Sequence, residues 1–118
     1  MTETITTSQV SQQMRDCIQQ CTDCHNVCIE TIIYCLQQGG KHAAVDHVRL
    51  LQDCAEICGT SADFMLRGSN VSAQVCGVCA TVCDACAKSC DQFGDDPQMK
   101  ACADTCRRCA ECCSRMAG

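Results

Sequence analysis

The stretch Cys102-Ala103-Asp104-Thr105-Cys106-Arg107-Arg108-Cys109-Ala110-Glu111-Cys112-Cys113 decides the fold. Its cysteines at 102, 106, 109 and 113 are spaced 4, 3, 4. At about 100° per residue these offsets fall near 0°, 40°, −20° and 20°, so a helix gathers all four sulfurs on one narrow face. Asp96-Pro97 stands just upstream, an N-cap followed by proline at the first helical position. A helix over 96–117 follows.

The same C-x3-C-x2-C-x3-C string occurs twice more, at Cys17, Cys21, Cys24, Cys28 and at Cys79, Cys83, Cys86, Cys90. Cys35 and Cys76 extend these two rows, Cys54 and Cys58 form an i,i+4 pair, and Cys112 flanks the last row. Gly39-Gly40, Gly68 and Gly94 punctuate the chain. The spacing predicts helices over 8–38, 42–67, 70–93 and 96–117, with Ser69 or Asn70 capping the third. Short loops between long helices make neighbours antiparallel, so the expected fold is all-α, an up-down-up-down four-helix bundle with a cysteine-lined core. One bundle domain is expected over 8–118, with 1–7 as a flexible N-terminal segment.

Composition narrows the function. The chain has 118 residues, 17 of them cysteine, and a net charge of −5. With 3% aromatic residues and no basic block, neither the electrostatic footprint nor the stacking platform for nucleic acid is present. No apolar run is long enough to cross a bilayer. The opening Met1-Thr2-Glu3-Thr4-Ile5-Thr6-Thr7-Ser8 has no basic n-region or apolar h-region, so no signal peptide is expected. A reducing cytoplasm is therefore the expected compartment, and there a cysteine-rich chain binds metal more often than it forms disulfides. The odd count leaves at least one thiol outside any intramolecular disulfide set.

Cysteine is also an ordinary small buried hydrophobe. Leucine would fill bundle positions better, however, and without the oxidation hazard. A string repeated on three helices therefore points to a use for sulfur. Soft thiolates select Cu(I), zinc and iron–sulfur clusters. If thiolates bridge and each ion takes two, there is roughly one ion per sulfur, and a Cu(I)–thiolate core is neutral. Zinc in Cys₄ sites carries a net −2 each, and four such sites would bury about −8 with no Lys or Arg on the seam to compensate. Cu(I) is the ion this apolar tube can hold in number. Zinc binding or iron–sulfur redox chemistry is the alternative.

Two local strings offer other cofactors. Cys21-Thr22-Asp23-Cys24-His25 matches a haem-attachment motif but lies inside a regular cysteine row. Cys106, Cys109 and Cys112 match part of a ferredoxin run, without the cysteine and proline that should follow. No Ser/His/Asp set or carboxylate pair suggests catalysis, so the chain reads as a binding protein and not an enzyme.

Continuing the rows outward collects Met14, Met65, Ser72 and Met116 at one pole. Cys35, His47, Phe93 and Met99 meet at the other, with His42 nearby. Methionines commonly fill gaps at bundle ends, and histidines at helix starts are commonly solvated. Imidazole and thioether also bind copper, and the pattern places copper entry at the His47 pole. His25 is expected at a helix interface or in solvent. Ile18, Ile29, Ile32, Ile33, Leu36, Val45, Val48, Leu50 and Ile57 broaden the apolar surface of the first two helices. They divide between helix packing and an oligomer face.

With rows at 17–35, 54–58, 76–90 and 102–113, the chain resembles the cysteine-rich four-helix-bundle copper storage proteins, in particular their cytosolic branch. The resemblance spans residues 8–117. It implies a homotetramer of bundles, each interior holding many Cu(I) ions, mostly through two thiolates each, for storage or buffering. The candidate ligands are Cys17, Cys21, Cys24, Cys28, Cys35, Cys54, Cys58, Cys76, Cys79, Cys83, Cys86, Cys90, Cys102, Cys106, Cys109, Cys112 and Cys113, with His42 and His47. Typical family members carry histidines near the start of the fourth helix. Here that segment is Gly94-Asp95-Asp96-Pro97-Gln98-Met99.

Overall fold

A computed structural model describes residues 10–118. The expected flexible segment 1–7 lies outside the described residues. Four helices follow one another: α1 (Gln12–Gln38), α2 (Val45–Leu66), α3 (Ser72–Asp91) and α4 (Pro97–Ala117). Each packs against two neighbours. The α1 backbone lies against α2 and α4, and the α3 backbone against α2 and α4, while the diagonal pairs meet only through side chains, as where Cys58 of α2 reaches Cys109 of α4 at 3.7 Å. The four helices thus enclose a central seam instead of collapsing onto one another. No helix of the described residues is long and apolar enough to cross a membrane.

The helix ends follow local chemistry. The Ser11 hydroxyl accepts from the Met14 N–H at 3.1 Å, and extended backbone at Ser11 starts α1 at Gln12, whereas the sequence reading begins it at 8. Asp96 caps α4, its Oδ1 accepting from the N–H groups of Gln98 (3.0 Å) and Met99 (3.3 Å), with Pro97 at the first position.

The other ends correct the sequence reading. α2 starts at Val45, not at 42. Gly39 and Gly40 both take left-handed backbone (φ 72° and 54°), which turns the chain into a 3₁₀ helix at Gly40–Ala43. Ala44 is then extended, so the α-helical run cannot begin before the next residue. α3 starts at Ser72 because the Ser69 hydroxyl is spent on the Val71 N–H in a local turn (3.2 Å). It ends at Asp91, before Phe93, where the Phe93 N–H bonds back to the Cys90 carbonyl (3.2 Å) and tightens the last turn.

The core is mostly sulfur. All 17 cysteines are buried, beside Leu51, Met65, Met99, Ile32 and four alanines. Its buried polar side chains are Thr31, Ser61 and His47; no Lys, Arg, Asp or Glu is buried among the described residues. The apolar residues off the seam divide as their positions require. Ile18, Val48 and Ile57 pack on the core, while Ile29, Ile33, Leu36 and Val45 are exposed along α1 and α2. On α2 Leu50 lies off the seam as expected, and Leu51 points fully inward.

Candidate metal centre

Each cysteine row is a helical stripe, and four stripes face one another. Sulfur–sulfur contacts cross between helices at 3.5 Å (Cys21 to Cys113, Cys58 to Cys83), 3.6 Å (Cys54 to Cys83) and 3.7 Å (Cys24 to both Cys54 and Cys106). The widest of these contacts, Cys28 to Cys106, is 4.0 Å. A soft ion about 2.3 Å from each sulfur needs edges near 4 Å in trigonal coordination and near 4.6 Å across a linear pair. Groups of sulfurs lying within 4.8 Å of one another cover that span.

The groups are not separate. From one pole to the other they run Cys17/Cys112/Cys113, then Cys21/Cys79/Cys109/Cys113, then Cys24/Cys58/Cys83/Cys109. Cys24/Cys28/Cys54/Cys106 and Cys28/Cys86/Cys102/Cys106 complete the series. Each group shares at least one cysteine with the next. Discrete Cys₄ zinc sites need four thiolates of their own, whereas a ladder of shared sulfurs is what bridged Cu(I) requires. With no buried Lys or Arg alongside, the ladder holds a neutral filling best.

Three cysteines lie beyond the groups but still inside. Hydrogen bonding with Cys113, together with burial, pushes the Cys76 thiol up. Hydrogen bonding with Cys102 does the same to Cys90. Burial pushes Cys35 up to about 11.

Cys35 belongs to a mixed-donor cluster. Its sulfur lies 3.5 Å from His47 Nε2 and 3.7 Å from the Met99 sulfur. The other nitrogen of His47, Nδ1, is 2.7 Å from the Ser89 hydroxyl, which holds the ring so that Nε2 faces the thiol. Burial pushes the His47 pKa down, keeping the imidazole neutral and able to bind metal. His42 does not point into the seam. It lies 3.0 Å from the Asp96 carboxylate, which also accepts from the Tyr34 hydroxyl at 2.7 Å. Burial alone would raise the Asp96 pKa, but the hydrogen bonds from Tyr34 and His42 hold it below the usual carboxylate range. Phe93 stacks against both histidines, with ring centroids 4.2 Å from His42 and 4.8 Å from His47. It forms an aromatic cover over the cluster.

At the opposite pole Met65 is fully buried, and Met14 and Met116 pack on the core. Cys17 and Cys112 stand there as a disulfide-bonded pair, while the remaining fifteen cysteines are free. This departs from an all-thiol reading, because Cys112 lies off the interior row and faces Cys17 across the α1–α4 contact. Their Cα atoms are 5.4 Å apart, within disulfide range. His25 sits at the α1–α2 interface, its Nδ1 2.7 Å from the Ala55 carbonyl oxygen.

Sequence reasoning missed two inward positions on α2, Leu51 and Ser61. His47-x3-Leu51-x2-Cys54-x3-Cys58 repeats the 4-3-4 spacing of the other helices, with His and Leu in place of two cysteines. Ser61 continues that row, and its buried hydroxyl has no hydrogen-bond partner.

The sequence profile of the copper storage protein family matches residues 10–118. The chain belongs to the copper storage protein family. Several solved structures share the fold. A crystal structure of a Nitrosospira multiformis protein is 51% identical, covers 90% of this chain and 95% of its own, and superposes with a TM-score of 0.85. The Cu(I)-bound copper storage protein BsCsp3 is 34% identical, covers 91% of this chain and 100% of its own, with a TM-score of 0.83. An uncharacterized cysteine-rich protein of Bacillus subtilis is 33% identical over 70 residues, 59% of this chain and 65% of that relative. The copper storage fold thus accounts for the bundle, and the shared-sulfur ladder is this chain's version of its interior.

Proposed function

We propose that the protein is a Cu(I) store, filling the sulfur ladder with many ions per chain and catalysing no reaction. The observation that carries this reading is the sharing of cysteines between successive groups, from Cys113 and Cys109 through Cys24 to Cys28 and Cys106. Sharing forces bridging thiolates, and bridging at one ion per sulfur keeps a charge-free core neutral. All 17 cysteines serve as ligands when reduced. His47 joins them through Nε2, and His42 guards the pole from outside. Copper enters at the His47 pole, where a neutral imidazole, a thiol and a thioether meet beneath Phe93. The protein works in the cytoplasm as a homotetramer. The exposed apolar residues Ile29, Ile33, Leu36 and Val45 favour the α1–α2 face as its contact surface.

Loading provides the test. Burial and thiol–thiol hydrogen bonding hold Cys35, Cys76 and Cys90 protonated, so each Cu(I) must displace a proton. A pH-stat titration of the reduced, metal-free protein should release about one proton per ion bound. Filling without proton release would contradict a thiolate lattice.

A further inference from the structure

Cys112 differs from every other cysteine in the chain. It is 6% exposed, Cys90 is 2% exposed and the remaining fifteen are 0% exposed. It is also the cysteine outside the interior rows, and it is paired with Cys17, the first member of the α1 row. A cavity of about 260 Å³ opens from the surface onto this pair between α1 and α4. Arg108 and Arg115 line it, four residues before Cys112 and three after, one helical turn to either side. Asp16 and Glu111 line it as well. A thiolate is the nucleophile in disulfide exchange, and the cavity gives a small disulfide a path from the surface to this pair. The mixture of two cations and two carboxylates suits a small zwitterion better than a simple anion.

We propose that the Cys17–Cys112 pair is a reversible thiol–disulfide exchange site, served by a small zwitterionic thiol that carries both carboxylate and ammonium groups and docks in this cavity. Oxidation runs in two balanced steps. The Cys112 thiolate attacks the low-molecular-weight disulfide, forming a mixed disulfide and expelling one small thiol. The Cys17 thiolate then attacks the Cys112 sulfur, closing the protein disulfide and expelling the second. Two protein thiols are oxidised and one small disulfide is reduced to two thiols. Excess small thiol drives the reverse. Because Cys17 and Cys112 make up two of the three sulfurs in the terminal group with Cys113, closing the bond removes that group from the ladder. The exchange chemistry itself does not depend on copper storage.

The experiment uses reduced, metal-free full-length protein and one equivalent of oxidised glutathione without oxygen, followed by peptide mapping by mass spectrometry. The expected product is one intramolecular disulfide, Cys17–Cys112. Cys17→Ser should trap a glutathione adduct on Cys112. Cys112→Ser should react at least about tenfold more slowly, since its remaining thiols are almost wholly buried. Replacing Arg108 and Arg115 with alanine should slow the reaction with oxidised glutathione but not with uncharged hydroxyethyl disulfide. Adducts scattered over many cysteines, or wild-type reactivity in Cys112→Ser, would overturn the exchange site. Equal slowing of both disulfides would overturn the zwitterion pocket. None of these readouts involves copper, so they stand apart from a failure of the storage reading.

Discussion

The two ends of the bundle close the same sulfur tube with different chemistry. At one end His47, Cys35 and Met99 form a fixed donor set under Phe93, with Ser89 aligning the imidazole. At the other end Met65 plugs the interior, and the Cys17–Cys112 pair joins the first helix to the last beside an open cavity. Nitrogen and thioether donors hold a metal ion without being consumed by oxidation of a thiol pair, whereas two adjacent thiols can be oxidised together. The difference fits the proposed division, with metal traffic at the His47 end and thiol exchange at the Cys112 end.

The largest effect should come from breaking the His47 end. His47→Ala should slow Cu(I) loading about 100-fold, and Ser89→Ala about tenfold, the latter because it frees the ring that Ser89 orients. Met14→Leu and Met116→Leu at the opposite end should leave loading unchanged in stopped-flow measurements. Slower loading in the methionine variants, with His47→Ala unaffected, would exchange the two ends.

Acidity should sharpen the same contrast. With Cys35 pushed up to about 11 by burial, its thiol is protonated at neutral pH and must lose a proton to bind. Affinity at this site should therefore rise with pH, about tenfold per unit until the thiol ionises unaided. A flat profile between pH 6 and pH 9, a range of roughly three decades of proton competition, would mean that the site binds through His47 and Met99 alone.

Much of this was legible in the sequence, for a physical reason. Four cysteines at 4, 3, 4 spacing fix both the helix and its inward face, and that holds for α1, α3 and α4. On α2 only Cys54 and Cys58 mark the face, and two points leave Leu51 unnamed as an inward residue. The row there is completed by His47, a candidate ligand from the sequence, and by Leu51, whose side chain does not advertise a shared role with cysteine. The start of α2 was illegible because two successive left-handed glycines and a 3₁₀ turn delay it. The pairing of Cys112 with Cys17 depends on how α1 and α4 meet, which periodicity within one helix cannot state.

Smaller effects probe the supports of each end. Asp96→Ala removes the α4 cap and the acceptor for Tyr34 and His42, and should cost about 1–2 kcal/mol, read from chemical denaturation of the metal-free protein. Ser61→Cys replaces a hydroxyl that has no partner and extends the α2 row toward Met65. Its stability should change by less than about 1 kcal/mol, while Cu(I) capacity rises by about one ion per chain.

The most direct test of a continuous sulfur ladder is an anaerobic Cu(I) titration of the reduced, metal-free protein against a chromophoric chelator. The 17 buried cysteines, with Cys24, Cys28, Cys106, Cys109 and Cys113 shared between successive groups, predict that the chelator stays uncoloured until well over ~10 equivalents per chain have been added. Colour after only about one to four equivalents would mean separate sites, and would contradict storage by a shared lattice.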